Sequence, residues 1–308
     1  MTLQKKFLLG LAVVLFTLFF VEGPGYYAPR SLKAFWNLGH IGFYAILISL
    51  VPWQAAVLKN RHWFILLLAV IVFCGITGTF IELAQYGFDR DVDWQDIVRD
   101  ILGGLLGFLF SPIKNTLTKS TLLALKIIVL CFLLVQLFPV GFALYDESLA
   151  RRQFPLLADF ETTSELDRWQ SGNRIQIVEQ PTVHGQKSLR IELGTELYSG
   201  ISLNHFPGNW SGYQTLEFHI YNPDEKPIHI TCRINDYEHR LGDQRYQDRY
   251  NRRFTLTSGW NKIIIDIDDI VQAPAQRQLA IHEVNNFGLF VVREPAPRTI
   301  YLDYLRLN

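Results

Sequence analysis

Polar and ionisable side chains at helical spacing, set in strongly apolar sequence, are the first feature of this chain that could do chemistry. His40 and Tyr44 are four residues apart, and Glu82 and Gln85 three apart, so each pair shares one helix face. Arg90, Asp93, Asp96, Arg99 and Asp100 follow. Asp93, Asp96 and Asp100 form a stripe if that segment is already helical. Ionisable groups inside a membrane are costly, so their presence marks a functional site by default. A histidine with several carboxylates can serve acid–base chemistry or hold a metal, although no spacing here demands either. The alternative is a buried polar network that fixes helix packing through interhelical hydrogen bonds.

The elements that position these groups are apolar helices. Five apolar segments stand out: Phe7 to Val21, Ala34 to Val51, Trp63 to Leu83, Ile97 to Phe110 and Thr121 to Leu144. Backbone groups in hydrocarbon must be satisfied internally, so spans of this kind are helices. The first, preceded by Lys5 and Lys6, reads as an uncleaved helix, because Glu22, Gly23 and Pro24 follow it in place of a small-residue cleavage pattern. The fourth carries Gly103, Gly104 and Gly107, small residues that let helices approach closely. Folded up and down, the second helix starts where the third ends and the fourth begins. His40, Glu82, Asp96 and Asp100 are thereby expected at one membrane face. Lysines and arginines divide evenly between the two sides. The expected orientation has the N-terminus inside and the C-terminal part outside, in an integral protein of the cytoplasmic membrane.

The chain has 308 residues with 29 Lys and Arg against 29 Asp and Glu, a balance that argues against a nucleic-acid binder. Composition splits it near Leu144. Residues 1–146 read as a transmembrane helical domain, 147–154 as a linker and 155–308 as an all-β sandwich. Of three cysteines, Cys74 and Cys131 lie in apolar runs and Cys232 in the soluble half, so neither a disulfide framework nor zinc spacing is available. Period-two alternation recurs in Leu189–Leu193, Leu216–Ile220, Ile228–Cys232 and Ile263–Ile267, as half-buried strands require. Turn signals separate them at Asn222-Pro223-Asp224, Ser258-Gly259 and Pro295-Ala296-Pro297. Trp169 and Trp260 are expected in the core.

The order His40-x-x-x-Tyr44, Glu82-x-x-Gln85, Arg90-x-x-Asp93-x-x-Asp96 and Gly103-x-x-x-Gly107 resembles the VanZ-like membrane family over about residues 30–115. Trp36 and Asn37 stand where an Asp-Lys pair is common in that family, and Asp100 where Asn is usual. The resemblance implies a site and no defined reaction. The soluble half opens with Asp159-Phe160-Glu161, and runs through Gly185-Gln186-Lys187-Ser188 and Trp210-Ser211-Gly212-Tyr213. It closes with Tyr301-Leu302-Asp303-Tyr304. That order resembles the galactose-binding-like jelly rolls, which include carbohydrate-binding modules.

Sugar binding needs aromatic platforms and polar side chains. The segment from Asp236 to Arg253 is dense in both, and Tyr237, His239, Arg240, Tyr246, Asp248, Arg249 and Tyr250 are its candidate glycan contacts. A solvated edge strand and loop is the competing reading. The jelly-roll resemblance also implies a structural Ca2+ held by Asp159, Glu161 and Asp303, near the two chain ends. Two functions remain. The first is a membrane-anchored envelope protein whose extracytoplasmic sandwich binds a glycan, and whose intramembrane site binds a lipid-linked headgroup. Its partners are then membrane lipid and carbohydrate or glycolipid, with no nucleic acid. The second is a membrane-embedded enzyme or transporter acting on an envelope glycan or glycolipid precursor. No nucleophile elbow, phosphate loop or metal motif supports an enzyme directly.

Overall fold

The computed structural model describes residues 3–21, 23–25, 28–86, 93–112 and 116–308, and the chain divides into two compact units, Met1–Leu144 and Tyr145–Asn308. The first is helical: α1 (Leu3–Leu18), α2 (Arg30–Asn37), α3 (Gly39–Leu50), α4 (Ala56–Lys59), α5 (Trp63–Tyr86), α6 (Trp94–Phe110) and most of α7 (Lys119–Gln153). All five apolar segments are helical. The second is divided at Leu38, which ends α2 and begins α3. The fourth begins earlier than its apolar run, because Asp93 caps it by accepting from the Gln95 amide at 2.9 Å. That cap brings Asp96, Arg99 and Asp100 into the first two turns of α6.

Among the described residues two helices, Trp63–Gln85 and Lys119–Gln153, are long and apolar enough to cross a membrane. Large apolar side chains stand exposed along both, among them Phe64, Leu68 and Phe80 on α5 and Leu123, Leu134 and Phe138 on α7. The glycines of α6 work as their spacing predicts. A Cβ at Gly103 would stand 2.5 Å from the Ile41 carbonyl oxygen, and one at Gly107 2.5 Å from that of Ala45. The backbones of α3 and α6 therefore touch. Since 41 meets 103 and 45 meets 107, the two helices run parallel.

The second unit is a sandwich of two antiparallel sheets. One joins β3 (Ile175–Val178), β4 (Ser188–Leu193), β11 (Arg298–Leu307), β6 (Thr215–Asn222) and β9 (Gly259–Asp266), with β1 (Leu156–Ala158) also on β11. The other joins β2 (Trp169–Ser171), β5 (Tyr198–Leu203), β10 (Val284–Val292), β7 (Ile228–Asp236) and β8 (Tyr250–Leu256). Short helices α8 (Tyr237–Leu241) and α9 (Ile267–Val271) follow β7 and β9. Alternate residues such as Phe218, Ile220, Cys232, Ile234, Phe287 and Leu289 fill the space between the sheets.

Trp169 is buried as expected, but Trp260 is not. On β9, Ile263 and Ile265 point inward, so period two turns Trp260 outward, where it packs on Tyr221 at 5.3 Å between ring centroids. Trp210, in contrast, is fully buried in the sandwich core. The expected linker at 147–154 is also helical, since α7 continues to Gln153. Its last turns belong to the second unit, held by Asp146. That carboxylate accepts from Arg168 Nε and Nη2, each at 2.9 Å, and from Ser164 Oγ at 2.6 Å. Both charged side chains are 1% exposed.

Candidate functional sites

In the helical unit, α3, α5 and α6 bring His40, Glu82, Asp96 and Asp100 together, all of them buried. His40 sits at the start of α3, Glu82 near the end of α5, and the two aspartates in the first turns of α6. His40 Nδ1 lies 2.8 Å from Asp100 Oδ1, and Nε2 lies 3.5 Å from Asp96 Oδ2. A carboxylate accepts, so the Nδ1–H belongs to the Asp100 bond. Glu82 Oε2 accepts from the Asp93 amide at 3.0 Å. Gly78 makes room for Asp100, whose carboxylate occupies the place a Cβ there would take.

The rest of the expected set divides. Tyr44 is fully buried one turn deeper and donates to Thr77 Oγ1 at 2.9 Å. Gln85 donates to the Phe19 carbonyl at 2.8 Å, tying α5 to the end of α1. Arg90 lies outside the described residues. Arg99 carries the ion pairing: it bonds the Asp96 carboxylate, lies 3.4 Å from Asp93, and donates to Gln95 at 3.0 Å and Gln136 at 3.1 Å. The sequence sets Arg99 in the same run as Asp93, Asp96 and Asp100 without a role of its own, and its three-residue spacing from Asp96 is the available signal. Beside His40 opens a cavity of about 350 Å³, lined by Leu15, Leu18, Phe19, Phe35, Trp36 and Leu38.

In the sandwich, a groove of about 510 Å³ runs over the outward face of the second sheet. Tyr198 and Ser202 reach it from β5, Thr231 and Arg233 from β7, and Phe290 and Val292 from β10. Tyr246 and Arg249 come from the turn before β8. Tyr198 and Tyr246 are each 65% exposed. Arg233 crosses the β10 backbone at Gly288, its register partner, and donates from Nη2 to Ser202 Oγ and Asn286 Oδ1, each at 3.0 Å. The Arg249 guanidinium sits 5.6 Å from the Tyr246 ring centroid, and its buried Nε has no partner among the described residues. Burial and the neighbouring Arg233 charge lower the Arg249 guanidinium from its ordinary value. No carboxylate lines the groove among the described residues.

Only Tyr246 and Arg249 of the seven expected glycan contacts line this groove. Tyr250 is buried in the sheet, because period two along β8 turns it inward. His239 is buried against Asp248, 3.0 Å away. Arg277 joins that pair to Asp236, bonding Asp248 at 2.6 Å and Asp236 at 2.5 Å, and the four groups clamp the segment after β7. Tyr237 lies in a separate shallow pocket with Glu283 and Asn285, and the Arg240 guanidinium stacks 5.1 Å from its ring centroid. Tyr198, Arg233 and Phe290 were missed. Parity placed each on an outward face, but no sequence signal joined three strands distant in the chain.

The carboxylates expected to hold calcium serve the backbone. Glu161 Oε1 accepts from the amides of Gln186 and Lys187 at 2.7 and 2.9 Å. Asp303 Oδ2 accepts from those of Val183 and His184 at 2.7 and 2.9 Å. Burial outweighs these bonds and pushes the Asp303 carboxyl up. Calcium takes 6–8 oxygens. With Asp159 these groups brace the 183–187 loop.

No protein-family model matches the chain, and no curated protein matches it, so the VanZ-like resemblance stands on the motif residues alone. Among solved structures, carbohydrate-binding module β-sandwiches cover the C-terminal half. A family 11 carbohydrate-binding module from Clostridium thermocellum, in complex with a β-1,3-1,4-mixed-linked tetrasaccharide, is 18% identical. It matches at TM-score 0.38 over 49% of this chain and 93% of its own. A module of family CBM28, specific for non-crystalline cellulose, is 12% identical at TM-score 0.35, over 50% of this chain and 93% of its own. An exo-β-agarase is 15% identical at TM-score 0.40, over 50% of this chain and 24% of its own.

Proposed function

We propose that this chain is a membrane-anchored envelope protein whose sandwich binds an anionic glycan in the groove on its second sheet. The observation that carries the reading is the pairing of two exposed tyrosines, Tyr198 and Tyr246, with two guanidiniums, Arg233 and Arg249, in one groove. Sugar rings stack on the tyrosines. Arg233 and Arg249 both line the groove, and a uronate or sulfate on the glycan offers oxygens that a guanidinium fork can meet bidentately. The helical unit is the anchor, with α1, α3, α5, α6 and α7 as its five spans and the sandwich outside the cytoplasmic membrane. The exposed apolar side chains of α5 and α7 support this, since water would penalise so large a patch. The apolar cavity beside His40 suits the chain of a lipid whose headgroup meets the polar cluster. The convergence of His40, Glu82 and Asp96 favours a second reading, an enzyme or transporter acting on an envelope glycan or glycolipid precursor.

The test is titration calorimetry of the full chain in detergent against paired neutral and uronate-bearing oligosaccharides. Tyr198→Ala or Tyr246→Ala should weaken binding by roughly 2- to 13-fold, the worth of one aromatic contact. Arg233→Met should weaken it by roughly 10- to 150-fold, as loss of a charge-assisted bond does. Tyr237→Ala, in its separate pocket, should change nothing. Equal affinities for wild type and both groove-tyrosine variants would move the site elsewhere. Equal affinity for neutral and acidic sugars would remove the anionic preference.

A further inference from the structure

We propose that His40, Glu82 and Asp96 bind one divalent transition-metal cation, through His40 Nε2, Glu82 Oε1 and Asp96 Oδ2. Among the described residues this is the one trio of His, Cys, Asp or Glu whose ligand atoms all lie within 4.8 Å of one another. All three side chains are buried, Glu82 to 2% exposure.

Convergence alone would not distinguish a site from a packed polar cluster. The second observation is that each member has one polar atom held by a neighbour while the other is left without a hydrogen bond among the described residues: His40 Nε2, Asp96 Oδ2 and Glu82 Oε1. His40 gives Nδ1–H to Asp100, which leaves Nε2 as a bare lone pair 3.5 Å from Asp96 Oδ2. Asp96 Oδ1 is taken by Arg99, which frees Oδ2. Glu82 Oε2 is taken by the Asp93 amide, and Oε1 is buried with no hydrogen-bond partner among the described residues. Among the described residues no positive centre stands between these acceptors. A buried acceptor without a partner is otherwise expensive.

The outer shell has the form such a centre uses. A ligating histidine ordinarily donates its other ring N–H to a carboxylate, which fixes tautomer and ring orientation; Asp100 does this here. Metal–ligand bonds of about 2.0–2.2 Å set adjacent ligand atoms roughly 3–3.5 Å apart, the spacing of the His40–Asp96 pair. One imidazole and two carboxylates form a nitrogen–oxygen set for zinc-type cations, whereas magnesium and calcium prefer oxygen alone. Three protein ligands leave a position open for water or an anionic oxygen. This assignment rests on the helical unit by itself and is independent of the glycan reading.

The experiment uses the full chain purified in detergent, stripped with chelator and titrated with cobalt(II) and then zinc. Wild type should show ligand-field bands saturating at one cobalt per chain and bleached by one equivalent of zinc. Excess magnesium or calcium should not displace them. Glu82→Gln and Asp96→Asn, checked for a monodisperse elution profile, should each lose the bands. Asp100→Asn should keep them and weaken zinc by roughly 10- to 100-fold, as outer-shell changes do. The cobalt titration of wild type needs no variant to fold. If it shows no ligand-field bands, or elemental analysis finds no more zinc in wild type than in a folded Glu82→Gln, the proposal fails. The trio is then a packed polar network that joins α3, α5 and α6.

Discussion

Replacing Asp146 by alanine tests how the end of α7 is bound to the sandwich. Arg168 is 1% exposed, and the Asp146 carboxylate takes two of its nitrogens at 2.9 Å each. Its other side-chain bond among the described residues reaches the Leu157 carbonyl at 3.5 Å, too long to replace a carboxylate. Removing one partner of such a pair strands the other charge in a dry interior, at a cost of about 3–5 kcal/mol. Against a domain stability of roughly 5–15 kcal/mol, that is a large fraction. The assay is amide hydrogen exchange by mass spectrometry on the full chain in detergent, which reads the sandwich strands separately from the helices. Amides of β6, β7 and β10 that exchange only on global opening should lose roughly 10²- to 10⁴-fold of their protection. The double variant Asp146→Leu/Arg168→Met removes both charges and should recover most of it, because a buried pair replaced by apolar groups is often neutral. Protection within threefold of wild type in Asp146→Ala would refute the reasoning. A double variant as weak as the single one would show that shape, and not the stranded charge, sets the cost.

Arg277 should govern the acid limb of stability. Its hydrogen bonds hold Asp248 below the usual carboxylate range. Burial pushes Asp236 up, but Arg277 and the amides of His239 and Ala280 outweigh it and hold Asp236 low as well. A carboxylate lowered in the folded state contributes stability that is complete above its unfolded value and is lost as pH falls through the folded one. The unfolding temperature of the sandwich should therefore drop on acidification below about pH 4, and Arg277→Met should flatten that drop. An unchanged acid limb in the variant sinks the assignment. In the helical unit, Gly107→Val should lower the unfolding temperature in detergent and broaden the elution profile, since its Cβ would meet the Ala45 carbonyl and Ile48. Gly141→Ala, with nothing within 4 Å, is the control and should be neutral or stabilising. Equal behaviour of the two variants would mean that α3 and α6 do not touch there.

Local pattern determined much of this protein. Apolar runs of adequate length became helices, and period-two runs became strands, because each backbone must satisfy its own polar groups whatever surrounds it. The up-and-down order of those helices already placed His40, Glu82 and Asp96 at one end, and α3, α5 and α6 meet there. Glycines at 103 and 107 announced the close crossing by their spacing. Parity along β9, read strictly, would also have turned Trp260 outward.

Tertiary structure decided what pattern leaves degenerate. Periodicity says which side of its own strand a residue takes. It does not say which strands become neighbours. Tyr198, Arg233 and Tyr246 share a groove only because β5, β10 and β7 pair across some ninety residues of sequence. Within the stretch from Asp236 to Arg253, composition made Tyr246 and Tyr250 equal candidates; the start of β8 buried one and left the other in the groove. Likewise nothing in the sequence gives Arg99 or Asp146 a specific partner. Their roles arise from which acceptors remain once the chain has folded, and that depends on contacts between segments far apart in sequence.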